Sequence, residues 1–228
     1  MKIFFPFLLV ALAVISCNDS NKKDLTVSEV NKQKNVLTTA ERIATKNGFD
    51  KFELVNQIDF TFNVDRGDSH FERSWQWRPK DNTVSKTVDN EVLITYNRKD
   101  IDSTLQEYDS AFINDKYWLL APLNLIRDEG ITFSETKKAK APISGKETNL
   151  LTITYSNKGG YTPGDAYDLY FGDNFLLEEW VFRKGNDSVP TMATTWEDYK
   201  DFSGLKIAKM HKDSLGDFKV YFTDINVN

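Results

Sequence analysis

The spacing of apolar positions changes abruptly several times along the chain. An unbroken apolar run from Ile3 to Ile15 gives way to Ser16, Cys17 and a polar stretch, Asn18 to Asp24. Val36, Leu37, Ala40, Ile43 and Ala44 then recur at helical spacing, with Ser28 as a candidate N-cap and Asn47-Gly48 as the stop. From Phe49 onward the period becomes two. Leu54, Ile58, Phe60, Phe62 and Val64 alternate with Glu53, Gln57, Asp59, Thr61 and Asn63, which predicts a strand with one buried face. After a turn at Arg66-Gly67-Asp68, a second strand presents Phe71, Arg73, Trp75 and Trp77 on one side. Further strands are predicted over 82–88, 91–97, 101–106, 130–138, 147–156, 166–172, 175–184, 191–199, 204–212 and 217–227. Turn signals such as Gly159-Gly160, Pro163-Gly164-Asp165 and Gly172-Asp173-Asn174 separate many of them.

Many short strands joined by tight turns predict an antiparallel meander, with no fixed-period repeat to suggest a propeller or solenoid. Residues 107–127 interrupt the rhythm with a dense apolar patch ended by Pro122, read as a short helix and an irregular stretch over one face of the sheet. The predicted fold class is α+β, mainly β: a curved antiparallel sheet, an incomplete β-barrel of about 11–12 strands. An N-terminal helix and a central helical lid cover its concave face.

The apolar run is the length of a secretory signal core, about 7–15 residues, and short of the ~20 needed to span a bilayer. Its end, Val14-Ile15-Ser16-Cys17, resembles the lipobox of bacterial lipoprotein precursors. That resemblance implies cleavage before Cys17 and acylation of its thiol, with a membrane as partner through the acyl chains. The expected organisation is a lipoprotein signal peptide at 1–16, an acylated tether at 17–34 and one domain at 35–228. Losing residues 1–16 removes Lys2, so Lys+Arg falls from 29 to 28 against 34 Asp+Glu, a net charge of −6. An acidic domain without a basic cluster is a poor nucleic-acid binder, and a monomer is expected. Cys17 is the only cysteine, so disulfides cannot stabilise the domain and its apolar core must.

Catalytic chemistry finds little support. His70 and His211 are the only histidines, each read as an exposed or edge-strand residue outside any motif. Asp165, Asp168, Asp173, Glu178 and Glu179 invite a glycosidase or calcium reading. Adjacent strand residues point to opposite faces, however, and the aspartates sit in turn contexts, so turn chemistry and solvated charge are preferred. No metal or cofactor is expected. The aromatic content is the anomaly: 5 Trp, 9 Tyr and 16 Phe make 13% of the chain. A large aromatic core is the default explanation for it.

The element order is similar to the lipoprotein-carrier fold of bacterial envelopes, the outer-membrane lipoprotein-sorting (Lol-type) carrier and receptor, and the mycobacterial lipid-transport lipoproteins. The likeness is carried by Asn47-Gly48-Phe49, the strand through Phe60 and Phe62, and Tyr117-Trp118-Leu119-Leu120-Ala121-Pro122. Asp168-Leu169-Tyr170-Phe171, Glu178-Glu179-Trp180-Val181-Phe182, Trp196-Glu197-Asp198-Tyr199 and Gly204-Leu205-Lys206-Ile207 add to it. It implies a half-barrel closed by helices around an apolar cavity for acyl chains. The expected function is non-enzymatic binding or transfer of a hydrophobic ligand, a lipid or lipoprotein acyl chain, by a lipid-anchored protein of the outer membrane facing the periplasm. Phe60, Phe62, Trp75, Trp77, Ile94, Trp118, Leu119, Leu120, Ile153, Tyr155 and Trp180 are the expected lining. The alternative is a surface lipoprotein that binds glycans through exposed tryptophans, and the burial of Trp75 and Trp77 discriminates the two.

Overall fold

The structure, a computed structural model, describes residues 36–89 and 91–228. The signal segment, Cys17, the tether and the candidate cap Ser28 lie outside the described residues.

Helix α1, Thr39–Lys46, begins at a capping box. Thr38 Oγ1 accepts from Glu41 N at 3.3 Å, and Glu41 Oε2 accepts from Thr38 N at 2.7 Å, which satisfies two otherwise orphaned donors. The start is therefore set by Thr38; Val36 and Leu37 precede the helix and stay exposed, while Ala40, Ile43 and Ala44 are buried. The stop falls where the sequence places it. Gly48 adopts φ 97°, and a side chain there would run into the Gly204 carbonyl. Asn47 O accepts from Lys206 N at 3.1 Å, which docks the end of the helix on the sheet. The predicted strand does not start at Phe49. A single-turn helix α2, Phe49–Phe52, comes first, buries Phe52 against Trp77 and leaves Leu54 69% exposed.

Strands β1 (Ile58–Arg66), β2 (Ser69–Arg78), β3 (Thr83–Val88) and β4 (Glu91–Asn97) follow as a meander, then the long helix α3, Gln106–Asn124. After it come β5 (Ile131–Phe133), β6 (Lys137–Lys140), β7 (Glu147–Tyr155), β8 (Ala166–Phe171) and β9 (Leu177–Arg183). The last are β10 (Met192–Thr195), β11 (Glu197–Phe202), β12 (Leu205–Lys212) and β13 (Phe218–Val227). All pairings are antiparallel. A seven-stranded sheet runs β11-β12-β13-β1-β2-β3-β4; a six-stranded one runs β10-β9-β8-β7-β5, with β6 also on β7. The mainly-β, antiparallel, unclosed architecture is the one the sequence predicts. The strand predicted at 101–106 does not form, because Asp102 Oδ1 accepts from Thr104 N and Leu105 N and turns the chain into α3.

The two sheets meet where the predicted strand 191–199 splits. Trp196 sits at the corner between β10 and β11, donating its N–H to Glu178 O at 2.8 Å, so one stretch of backbone serves both sheets. Across this seam Lys212 N donates to Thr195 Oγ1 at 3.0 Å. Register shifts at Asp59/Thr61 on β1–β13, Lys86/Thr87 on β3–β4 and Tyr170/Phe171 on β8–β9 curve the walls.

Helix α3 lies between the walls. Phe112, Leu119, Leu120 and Leu123 pack with Phe60, Phe62, Trp75, Trp77 and Phe222 of the larger sheet. Tyr117 and Ala121 pack with Leu151, Ile153, Tyr167, Leu169 and Trp180 of the smaller. A helix apolar on several sides is what this central placement requires. Pro122 lies inside α3, and the break appears two residues earlier, at Leu120 (φ −130°, ψ 18°). The segment is thus a kinked helix between two sheets and is longer than the short helix predicted. Among the described residues no helix is long and apolar enough to cross a membrane.

Candidate functional site

Packing fills most of the space between the walls, but a half-enclosed hollow of about 300 Å³ remains near the seam. Phe62 and Val64 of β1, Phe71 of β2, and Phe218 and Val220 of β13 form one side. Tyr167, Trp180, Phe182 and Met192 of β8–β10 form the other, and Trp118 of α3 lies between them. Alternation along β1 and β13 delivers these apolar side chains to one face. The polar residues of the opposite face are engaged elsewhere: Asn63 Nδ2 donates to Tyr221 O at 3.3 Å and Thr223 Oγ1 at 3.2 Å. The size is at the lower end of ligand pockets, roughly 300–1,000 Å³.

Of the residues expected to line a cavity, Phe62, Trp118 and Trp180 reach this hollow. Phe60, Trp75, Trp77, Leu119 and Leu120 are interior packing of the larger sheet, and Ile153 is interior packing of the smaller one. Tyr155 is also interior; its hydroxyl donates to Asp128 Oδ2 at 3.0 Å and takes the hydroxyl hydrogen of Tyr117 at 3.0 Å. Ile94 stands half-covered on the edge strand β4, beside a register shift, and joins neither core cluster. The reason for the difference is α3. Its Phe112 meets Trp75 at 5.6 Å and Trp77 at 5.7 Å between ring centroids and occupies the concavity that those tryptophans face. With Trp75 1% and Trp77 4% exposed, the tryptophan platform of the glycan reading does not exist.

Polar groups at the hollow are few. Arg73 shares the tryptophan face because Asp115 receives it: Nε donates to Oδ2 at 2.7 Å and Nη2 to Oδ1 at 2.6 Å. Trp75 Nε1 adds a bond at 2.9 Å and Asn114 Nδ2 one at 3.0 Å. Burial pushes the Asp115 carboxyl up, and these four donors oppose it. Arg66, exposed at the end of β1, lies over Phe218 at 5.0 Å. Among the described residues it has no carboxylate partner and no side-chain hydrogen bond. Asn114, Thr162 and the Tyr161 ring complete the rim.

Behind Trp118 sits His211, at 5.3 Å from it and 4.4 Å from Trp196. The sequence predicts an exposed or edge-strand position for His211. It is 0% exposed, because it lies on an interior strand and its ring packs against Trp118, Trp196 and Phe222. Its Nδ1–H donates to Thr195 O at 3.2 Å, its Nε2 has no partner among the described residues, and burial pulls its pKa down to about 3. His70 is exposed, 2.8 Å from Asp65, which raises its pKa.

The carboxylates serve local structure. Asp165 Oδ1 accepts from Gly185 N at 2.7 Å, and Asp168 pairs with Arg183 at 3.1 Å. Buried Glu179 takes Ile143 N and Ser144 N at 2.7 and 2.8 Å, while Glu178 faces the other way. Among the described residues no three His, Cys, Asp or Glu side chains converge as a metal site. Sequence reasoning missed Arg66, Phe71, Asn114, Tyr161, Tyr167, Phe182, Met192, Phe218 and Val220. The signal it held was Arg73, a charge on an otherwise apolar strand face.

No family model matches the chain, and no curated protein matches it. Solved structures do. The chain is similar to a LolA-superfamily protein from Nitrosomonas europaea, with 13% identity and a TM-score of 0.52 over 84% of this chain and 94% of that one. A DUF1329-family protein from Desulfovibrio piger aligns at 9% identity and a TM-score of 0.48 over 83% and 92%. A Vibrio parahaemolyticus domain named for outer membrane lipoprotein sorting aligns at 9% and 0.45 over 83% and 91%. The first of these likenesses shows the fold: the described domain shares the curved, unclosed antiparallel architecture of that protein.

Proposed function

We propose that this protein is an envelope lipoprotein, anchored through acylated Cys17, that binds an acyl chain in the hollow between its two sheets without catalysing a reaction. The signal at 1–16 directs export, the tether at 17–34 holds the domain off the outer membrane on its periplasmic side, and the domain works as a monomer. The observation that carries this reading is a hollow of about 300 Å³ walled by Phe62, Trp118, Trp180, Phe182 and Phe218. Each methylene taken from water into such walls contributes roughly 0.8 kcal/mol, so a tail binds there with little polar recognition. The LolA-type architecture supports the same reading, since it offers a concave wall in which hydrocarbon is sheltered.

Native mass spectrometry of the full protein, extracted from cell membranes, tests it. Acyl species released from the wild type beyond the covalent modification, and lost in Phe182→Glu, are expected; Phe182 is partly exposed at the hollow, so the charge spares the deep core. Identical spectra from both proteins, or wild type free of lipid, would overturn it.

A further inference from the structure

The hollow is apolar on its walls and cationic at its rim. Arg66 there has no carboxylate within the salt-bridge distance of 4.0 Å among the described residues. Its guanidinium lies over Phe218, a wall residue, at 5.0 Å. Arg73 spends Nε and Nη2 on Asp115, and among the described residues its Nη1 has no acceptor. Trp180, also a wall residue, has a buried indole N–H with no partner among the described residues. Asp115 balances the charge of Arg73, so the unbalanced charge at the site is that of Arg66. Among the described residues Arg66 makes neither an ion pair nor a side-chain hydrogen bond. A guanidinium with no partner beside sheltered hydrocarbon is the complement of an anionic head on an apolar tail.

The volume limits the tail. A hollow of about 300 Å³ lies at the small end of ligand pockets and suits one tail of medium length better than two or three side by side.

We propose that the hollow takes a single-tailed anionic amphiphile, its tail against Trp118 and Trp180 and its carboxylate or phosphate head on Arg66. This rests on the acyl-chain reading above and specifies the ligand class for the same hollow. Arg66 lies at the exposed end of β1, where the Gly67 turn begins, so a change of its side chain does not disturb the core.

Calorimetric titration of the full protein with dodecanoate, dodecyl phosphate, uncharged dodecyl maltoside, dodecyltrimethylammonium and inorganic phosphate tests the proposal. The two anionic amphiphiles should bind about tenfold or more tighter than the uncharged and cationic ones. Arg66→Gln should remove that preference while leaving dodecyl maltoside affinity unchanged. Carboxylate against phosphate identifies the head, and inorganic phosphate should not bind by itself at comparable concentration. Equal affinity for all four amphiphiles, or an anionic preference that survives in Arg66→Gln, overturns the head-group assignment and leaves tail binding standing. Absence of binding by every amphiphile overturns both. Equally tight binding of a triacylated peptide overturns the single-tail limit.

Discussion

Acid should loosen this protein through one residue. His211 is 0% exposed, enclosed by Trp118, Trp196 and Phe222, and burial lowers its pKa to about 3 from the ordinary 6.5. The unfolded chain protonates at the ordinary value and the folded one does not, so between pH 6.5 and about 3 the unfolded state binds the extra proton. Stability from this group is complete above pH 6.5 and falls as pH drops through that window. The slope is about 1.4 kcal/mol per pH unit, so lowering the pH from 6.5 to 4.5 costs roughly 2–3 kcal/mol. That is a large fraction of the ~5–15 kcal/mol typical of a domain. The comparison is His211→Leu, which loses the bond to Thr195 O, about 1 kcal/mol, equally at every pH. Urea midpoints should converge as pH falls from 7.5 to 4.5, with the wild type losing its lead and then trailing. Two curves that stay parallel would refute the argument, because carboxylate titration is common to both proteins and cancels in the difference.

Three other outcomes follow from the structure. Asp115→Ala leaves Arg73, the Trp75 indole and Asn114 without their acceptor, and because Arg73 keeps some water the expected loss is roughly 2–4 kcal/mol, below the ~3–5 of a fully buried pair. Urea denaturation measures it, and the Arg73→Met/Asp115→Ala double variant should lose less than the sum of the singles. Gly48→Ala should cost roughly 1–3 kcal/mol and lower the melting temperature, since φ 97° and the Gly204 carbonyl both oppose a methyl group. Cys17→Ser should shift the protein from the membrane to the soluble fraction on cell fractionation, and unchanged partitioning would count against the anchor.

The fold was legible wherever alternation was clean. Glu91–Asn97 matches its predicted strand at both ends, and 147–156 and 217–227 differ from β7 and β13 by a single residue. Local side-chain chemistry hid the rest. Asp102 turned an apparent strand into a helix entry, and Phe49–Phe52 coiled because Gly48 ends α1 in a left-handed conformation pressed against Gly204. The hollow was legible only in part. Period-two spacing places Phe60, Phe62 and Val64 on one face, but which of them meets empty space depends on where Phe112 of α3 lands. No spacing within β1 or β2 encodes that. Arg73 was visible as a charge on a greasy face, whereas its partner Asp115 lies 42 positions away, beyond any local pattern.

The last strand of the described residues, β13, lies inside the seven-stranded sheet and pairs with its central strand β1 from Ile58↔Val227 to Arg66↔Phe218. The β1–β4 meander can zip locally, yet one edge of β1 stays bare until residue 227 has left the ribosome. That edge carries Ile58, Phe60, Phe62 and Val64, a segment prone to pair with neighbouring chains. A nascent copy is therefore an open template from the emergence of β1 until that of β13, and a chain truncated anywhere between them should aggregate instead of folding into a smaller domain.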